Sequence, residues 1–249
     1  MSTTTGTEAP PTEEPSPRQP LGWRIVNVVG EILITIGIFF LLMVVYELWW
    51  TSVEAEQEYE RQREQLILSW ESEEEAEVAV PVDTPPIPAE AFGLMYIPRL
   101  GDDVWATPLI EGVTDEDLTK GIGHFPDSAL PGDIGNTSFA GHRATYGEPL
   151  ANVDQLQVDD RVYVETAGEW HTYRLTNDDI VLPTDVWVVD PVPGAAPGTP
   201  PTEPLITLVT CDPRWGSTHR WIWWGELVET TPKDEGPPEE LAALLAEGV

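Results

Sequence analysis

The chain carries one thiol, Cys211, and its neighbours decide what a lone thiol is for. By default a single cysteine is a small buried hydrophobe, unable to form an internal disulfide or a cysteine-based zinc cluster. Cys211 instead closes an apolar run, Leu205-Ile206-Thr207-Leu208-Val209-Thr210, and is followed at once by Asp212-Pro213. Proline halts a β-ladder, so the sulfur falls where a strand meets a loop, a place from which a nucleophile can meet a substrate. Strand ends also simply pack, so position alone leaves both readings open. Arg220 begins the next apolar run, Trp221-Ile222-Trp223-Trp224, beyond a loop containing Gly216. A hairpin of the two runs brings Arg220 beside Cys211, where a guanidinium can serve a carbonyl oxygen that gains charge. The alternative is a rim arginine facing solvent.

A thiol nucleophile needs a proton carrier, and four histidines compete: His124, His142, His171 and His219. Spacing does not choose among them, because a histidine serves as readily as a structural hydrogen-bonder. His142 follows Phe139-Ala140-Gly141, another strand end, and precedes Arg143-Ala144-Thr145-Tyr146-Gly147. His219 adjoins Arg220, and neighbours on a strand face opposite ways. His171 lies in a polar strand and is expected to be solvated.

The elements that must position these groups read as strands over about 91–230, short Val-, Ile-, Tyr- and Trp-rich segments separated by Gly, Pro, Asn and Asp. The candidates are Gly93–Ile97, Val104–Ile110, Thr137–Gly141, Arg161–Thr166, Trp170–Leu182, Leu205–Cys211 and Arg220–Glu229. Thr114 to Lys120 is a short helix with Thr114 as its cap and Asp115, Glu116 and Asp117 in its first turn. Pro149 to Gln155 is a second candidate. No helical segment of this region is long enough to serve a doubly wound sheet, so a closed or nearly closed β-barrel fits best. Pro191 to Pro204 is too rich in Pro and Gly for a strand and forms a long loop before the Cys211 strand, a natural substrate wall.

Ahead of this domain the composition changes sharply. Residues 1–22 are polar and expected to be disordered. Ile32 to Tyr46 is free of charge, and with Trp23, Trp49 and Trp50 at the ends, residues 23–50 read as a transmembrane anchor. A cleaved signal peptide is the rival reading, with Val53-Glu54-Ala55 as a faint cleavage site. Arg24, close to its membrane edge, tips the N-terminus inside. Residues 51–90 form an acidic stalk and Pro-rich linker, in which Glu58/Arg61 and Glu60/Arg63 suit a helix face and Leu66, Ile67, Leu68 and Trp70 are expected to dock it. Residues 231–249 are an acidic, frayed tail with a short helix from Pro238 to Ala246.

With 44 acidic against 12 basic residues the formal net charge is -32, which repels phosphate backbones and argues against nucleic-acid binding. So acidic a field disfavours a thiolate. Arg143, Arg214 and Arg220 flank the two motifs, and Arg143 or Arg214 is expected to supply local positive charge at the sulfur. No metal or cofactor is expected: the acids are so plentiful that no ligand cluster stands out, and calcium dependence stays open.

The string Thr207-Leu208-Val209-Thr210-Cys211, with an arginine nine positions later, resembles the sortase active-site signature. Pro131-Gly132-Asp133-Ile134-Gly135-Asn136 followed by Gly141-His142-Arg143 is similar to the stretch carrying the sortase histidine, and the Gly-His-Arg-Ala-Thr-Tyr-Gly run is most similar to class E sortases of actinobacteria. The resemblance covers roughly 91–230. It implies a mainly β fold, a closed eight-stranded sortase-type barrel with short helices, preceded here by one transmembrane helix and a helical stalk. It implies a membrane-anchored cysteine transpeptidase with Cys211 as nucleophile, His142 as acid and base, and Arg220 as oxyanion support. Thr210, through its backbone, and Tyr146 are implied to touch substrate. The partners implied are secreted proteins bearing a C-terminal Leu-Pro-X-Thr-Gly or Leu-Ala-X-Thr-Gly signal and an amine on a peptidoglycan precursor or pilin. The absence of a second apolar span and of an aromatic lid weighs toward cell-wall attachment of monomers. Two other readings stand beside it: an L,D-transpeptidase, whose cysteine usually follows a His-Gly pattern missing here, and a tethered binding module with a buried, inert thiol.

Overall fold

The computed structural model describes residues 21–75 and 85–247, and the chain divides into two compact units, 1–45 and 46–249. The expected disordered tail, apart from its last two residues, and part of the Pro-rich spacer lie outside the described residues.

Leu21–Glu75 is one continuous helix of 55 residues, α1, where composition suggested a separate anchor and stalk. The change from apolar to acidic near residue 50 does not interrupt it, because the stretch has no proline and a helix does not require uniform polarity. In the first unit the apolar side chains of α1, from Ile25 through Val45, are exposed on every side, and the helix is long and apolar enough to cross a membrane.

In the second unit α1 turns one face inward. Ala55, Leu66 and Trp70 lie on it at helical spacing, Ala55 and Leu66 fully buried, whereas Ile67 and Leu68 face solvent. Three consecutive apolar positions, Leu66 to Leu68, cannot share one helix face, so the expected docking set is cut to Leu66 and, one turn further on, Trp70. Leu66 packs with Leu94, Tyr96, Tyr163, Trp170 and Leu241. The ammonium of Lys233 sits 3.5 Å from the Trp70 ring centroid and 2.7 Å from Glu165, which fastens the helix to the barrel wall.

The barrel has eight strands: β1 Ala91–Tyr96, β2 Thr107–Glu111, β3 Ile122–His124, β4 Gly135–Ala140, β5 Arg161–Glu165, β6 Glu169–Val181, β7 Pro204–Asp212 and β8 His219–Pro232. They close in the order β1-β2-β3-β4-β7-β8-β6-β5. The β2–β3 and β4–β7 pairs are parallel and the rest antiparallel. Period-two alternation sends Phe139, Ile206, Leu208 and Trp223 into the barrel core with Met95, Ile122, Val164 and Tyr173. The intervening Val209 and Trp224 face outward, where they pack with Val181, Val188 and Ile222.

The strand missing from the sequence reading is β3. It is three residues long and centred on Gly123, whose missing side chain is a requirement: a Cβ there would lie 2.3 Å from the Gly112 carbonyl oxygen. Two short helices complete the fold, α2 Asp115–Leu118 and α3 Glu239–Glu247. Thr114 caps α2 as expected, in a reciprocal capping box with Asp117. The second expected helix is reduced to a 3-10 turn at Val153–Gln155. The C-terminal segment docks instead of fraying, with Leu241 buried and Tyr163 donating to Glu240.

Candidate active site

Three strand ends meet on one rim of the barrel, and topology is the reason. Because β4 and β7 are parallel, both finish at the same edge, and β8, antiparallel to β7, starts there. Cys211 is the penultimate residue of β7 and Arg220 the second of β8; the two are directly paired across the ladder. Residues opposite one another in an antiparallel pair share a face, so the guanidinium and the thiol share the outer face of the sheet. The Arg220 Nη1 donates to the carbonyls of Ser217 and His219 at 3.0 and 2.9 Å, which fixes the fork at the strand start.

His142 lies two residues beyond β4. The Gly141 N–H donates to Val209 O, carrying the parallel pairing up to the histidine and holding that backbone beside the last turn of β7. The Thr210 hydroxyl donates to Gly141 O at 2.8 Å. That side chain is buried and turned away from the Cys211 face, so Thr210 offers a substrate its backbone alone. The His142 Nε2 is buried without a hydrogen bond among the described residues. Burial lowers the His142 pKa, with Asp115 in α2 opposing the shift. The Tyr146 ring lies 5.5 Å from the imidazole and is substantially exposed.

The other histidines are committed elsewhere. His124 is buried with Nδ1 2.7 Å from Glu111 and Nε2 3.0 Å from Ala129 O, so both ring nitrogens already face acceptors. His171, expected to be solvated, is in fact only 3 % exposed, packed under Gly132, and burial pushes its pKa down to about 4. A polar strand sequence does not reveal that a neighbouring loop covers it. His219 makes a local contact with Thr218.

The loop after His142 is unusual in its backbone. Thr145, Tyr146, Gly147 and Glu148 all have left-handed φ, at 67°, 51°, 74° and 38°. Three non-glycine residues in that region need outside support. Two reciprocal ion pairs supply part of it. Arg143, from the histidine side, reaches Asp212 at 2.6 Å and Cys211 O at 3.3 Å, and stacks its guanidinium over Trp221. Arg214, from the cysteine side, returns to Glu148 at 2.7 Å. The extra positive charge expected at the sulfur is therefore matched locally by carboxylates, Asp212 and Asp154 at Arg143 and Glu148 at Arg214, and the arginines tie the His142 segment to the Cys211 segment. Sequence reading identified both arginines but not their partners, since among so many acids nothing local marks Asp212 or Glu148. Removing Arg143 strands a partly buried carboxylate, so Arg143→Ala should lose about 2–4 kcal/mol of stability in urea unfolding, and Asp212→Asn less.

On the outer face, the connection between β6 and β7 packs against the sheet through the 3-10 turn Val186–Val189. Asn136 donates to Asp190 O and Trp224 to Val188 O, which pins this wall beside the β4–β7 surface. A cavity of about 370 Å³ between this wall and the β6–β8 ladder includes Leu205 at the start of β7, the end opposite Cys211.

A closed eight-stranded barrel with a cysteine and an arginine paired at one rim and a histidine beside them defines a class, and comparison with known proteins gives the same one. The sortase domain profile matches residues 95–228. Sortase SrtE1 of Streptomyces coelicolor is 34% identical over 225 residues, 87% of this chain and 61% of that protein. The chain thus spans less than two thirds of the length of SrtE1, whereas SrtE2 of the same organism is 32% identical over 88% of both chains. The structure of sortase E from Streptomyces avermitilis aligns with a TM-score of 0.55 at 40% identity, over 61% of this chain and 97% of that one. The chain belongs to the sortase family, whose members are cysteine transpeptidases.

Proposed function

We propose that this chain is a membrane-anchored sortase that cuts a C-terminal sorting signal of the Leu-Pro-X-Thr-Gly or Leu-Ala-X-Thr-Gly type between Thr and Gly. It then passes the new acyl end to a cell-wall amine. The observation that carries the reading is the meeting of Cys211, Arg220 and His142 at one rim, through a parallel β4–β7 pair and an antiparallel β7–β8 pair. Cys211 Sγ attacks the threonine carbonyl carbon while its proton passes to His142. The carbonyl oxygen gains charge facing Arg220, whose fork is anchored by two backbone carbonyls. Collapse of the adduct breaks the Thr–Gly bond, and His142 returns the proton to the departing glycine amine, leaving a thioester on Cys211. An incoming amine attacks the thioester, His142 takes its proton, and the thiol is restored. In this reading Tyr146 lines the peptide, supported by its exposure beside His142. The apolar first part of α1, over 23–50, is the anchor, with its N-terminus inside and the barrel on the outer side of the membrane.

The test is mass spectrometry of the full chain in detergent with both peptides, with and without triglycine. Cleavage between Thr and Gly together with a triglycine adduct supports the reading. An unreactive thiol and two intact peptides would replace it with a tethered binding module.

A pH dependence follows from the burial of His142. Burial favours the neutral ring, the form that accepts the thiol proton, and acidification removes that form. The acid limb of kcat/KM should therefore have its midpoint below the ordinary histidine value of 6.5. A limb centred above 6.5 would contradict the assignment.

A further inference from the structure

The left-handed loop that follows His142 has a third support, and it comes from outside the barrel. Tyr59, on the inward face of α1, donates its hydroxyl hydrogen to the Tyr146 carbonyl at 3.2 Å. Its ring lies against the next residue: a Cβ on Gly147 would stand 3.0 Å from the Tyr59 ring. Gly147 is thus the one position in the loop where a missing side chain admits an aromatic ring from the helix, and its φ of 74° suits glycine besides. Burial raises the Tyr59 pKa, so the hydroxyl stays protonated and remains a donor at any working pH. The peptide held in this way is the one between Tyr146 and Gly147, and the Tyr146 ring is the one packed at 5.5 Å from His142. One residue further on, Glu148 carries the ion pair to Arg214 from the cysteine loop.

From these contacts we infer that Tyr59 is a positioning residue for catalysis: the helix that continues from the apolar span fixes the Tyr146–Gly147 peptide, and through it the His142 ring. The inference rests on the catalytic role proposed for His142. It gives the second half of α1 a task beyond holding the barrel away from a membrane. The mechanical argument is that four consecutive left-handed residues have no regular ladder to define them, so their geometry is set by whatever grips them. Tyr59 grips from the helix side and Arg214 from the β7–β8 side. Release of one grip leaves the loop hinged on the other, and the imidazole then samples orientations that do not face the thiol.

The experiment uses the full chain in detergent, with Tyr59→Phe and Tyr59→Ala compared with wild type. Tyr59→Phe keeps the ring on Gly147 and loses the O–H, whereas Tyr59→Ala loses both. Small displacements of a catalytic group cost up to about a hundredfold in rate. Tyr59→Phe should lower kcat by about fivefold and Tyr59→Ala by about thirtyfold, with KM within about twofold in each case. Hydrogen exchange across residues 142–150 should accelerate in the same order, while the melting temperature of Tyr59→Phe stays within about 2 °C of wild type. Exchange is read without substrate, so it separates the two claims. If wild type cuts neither peptide, the catalytic reading falls, and unchanged exchange in both variants would still sink the Tyr59 contact as a support. If wild type is active, unchanged kcat and exchange in Tyr59→Ala would overturn the inference. A rise in kcat would overturn it too, by showing the helix to be a brake. A lowered melting temperature with uniform loss of protection and normal kcat would reduce Tyr59 to a packing residue.

Discussion

Cys211→Ala should bring peptide cleavage down to the uncatalysed background and abolish the mass increment of a thioacyl enzyme, without unfolding the barrel. No second thiol exists in the chain to replace it. The sulfur sits half-buried near the end of β7 and takes no part in the core formed by Ile206, Leu208 and Trp223, so truncating it by one atom leaves the packing intact. Cys211→Ser is the sharper comparison. It retains an atom able to attack, but a hydroxyl releases its proton far less readily than a thiol and depends wholly on His142 to take it. The serine variant should be inactive or nearly so while still binding peptide, and intact-protein mass spectrometry after mixing reads both results. A cleaving alanine variant would exclude Cys211 as the nucleophile.

Arg220→Ala should lower kcat by about 10²–10³-fold at nearly constant KM, the range typical of losing a preorganised donor aimed at a developing oxyanion. The expectation derives from register: Arg220 is paired with Cys211 itself, and its fork is already tied to Ser217 O and His219 O. Little reorganisation is then needed when charge develops. Arg220→Lys should recover only part of the loss, because an ammonium keeps the charge without the planar fork. Stability should hardly change, since the side chain is half-exposed at a strand start. A large rise in KM with kcat preserved would reassign Arg220 to ground-state binding of the peptide.

The strands that carry the site were the most legible part of the sequence. The run Leu205–Cys211 is observed as Pro204–Asp212, and Trp170–Leu182 as Glu169–Val181, because runs rich in β-branched and aromatic residues and bounded by turn-forming residues leave little room for another structure. The facing of Arg220 and Cys211 was equally readable, since a hairpin is local. His142 was not: its approach to Cys211 depends on β4 lying beside β7, a partnership far apart in sequence that no short-range pattern encodes. Resemblance to a family singled it out, and burial of His124 and His171 now removes two competitors on physical grounds. β3 escaped notice because three residues around a glycine show no period. Tyr59 escaped because its target is a backbone carbonyl, which every residue possesses.

The parallel β4–β7 pair also bears on when the site comes into being. The Cys211–Arg220 hairpin closes over a handful of residues and is cheap in chain entropy. The side-chain bond from Thr207 to Asn136 within the β4–β7 pair joins residues 71 apart, so that ladder belongs with the slow, non-local contacts of folding. The histidine segment is synthesised first and waits for a strand made much later. A nascent or half-folded chain is therefore expected to carry a thiol with its arginine but without its proton carrier. Competence for acyl transfer would then arrive only with the closure of the barrel, which keeps a reactive centre silent until the molecule is finished.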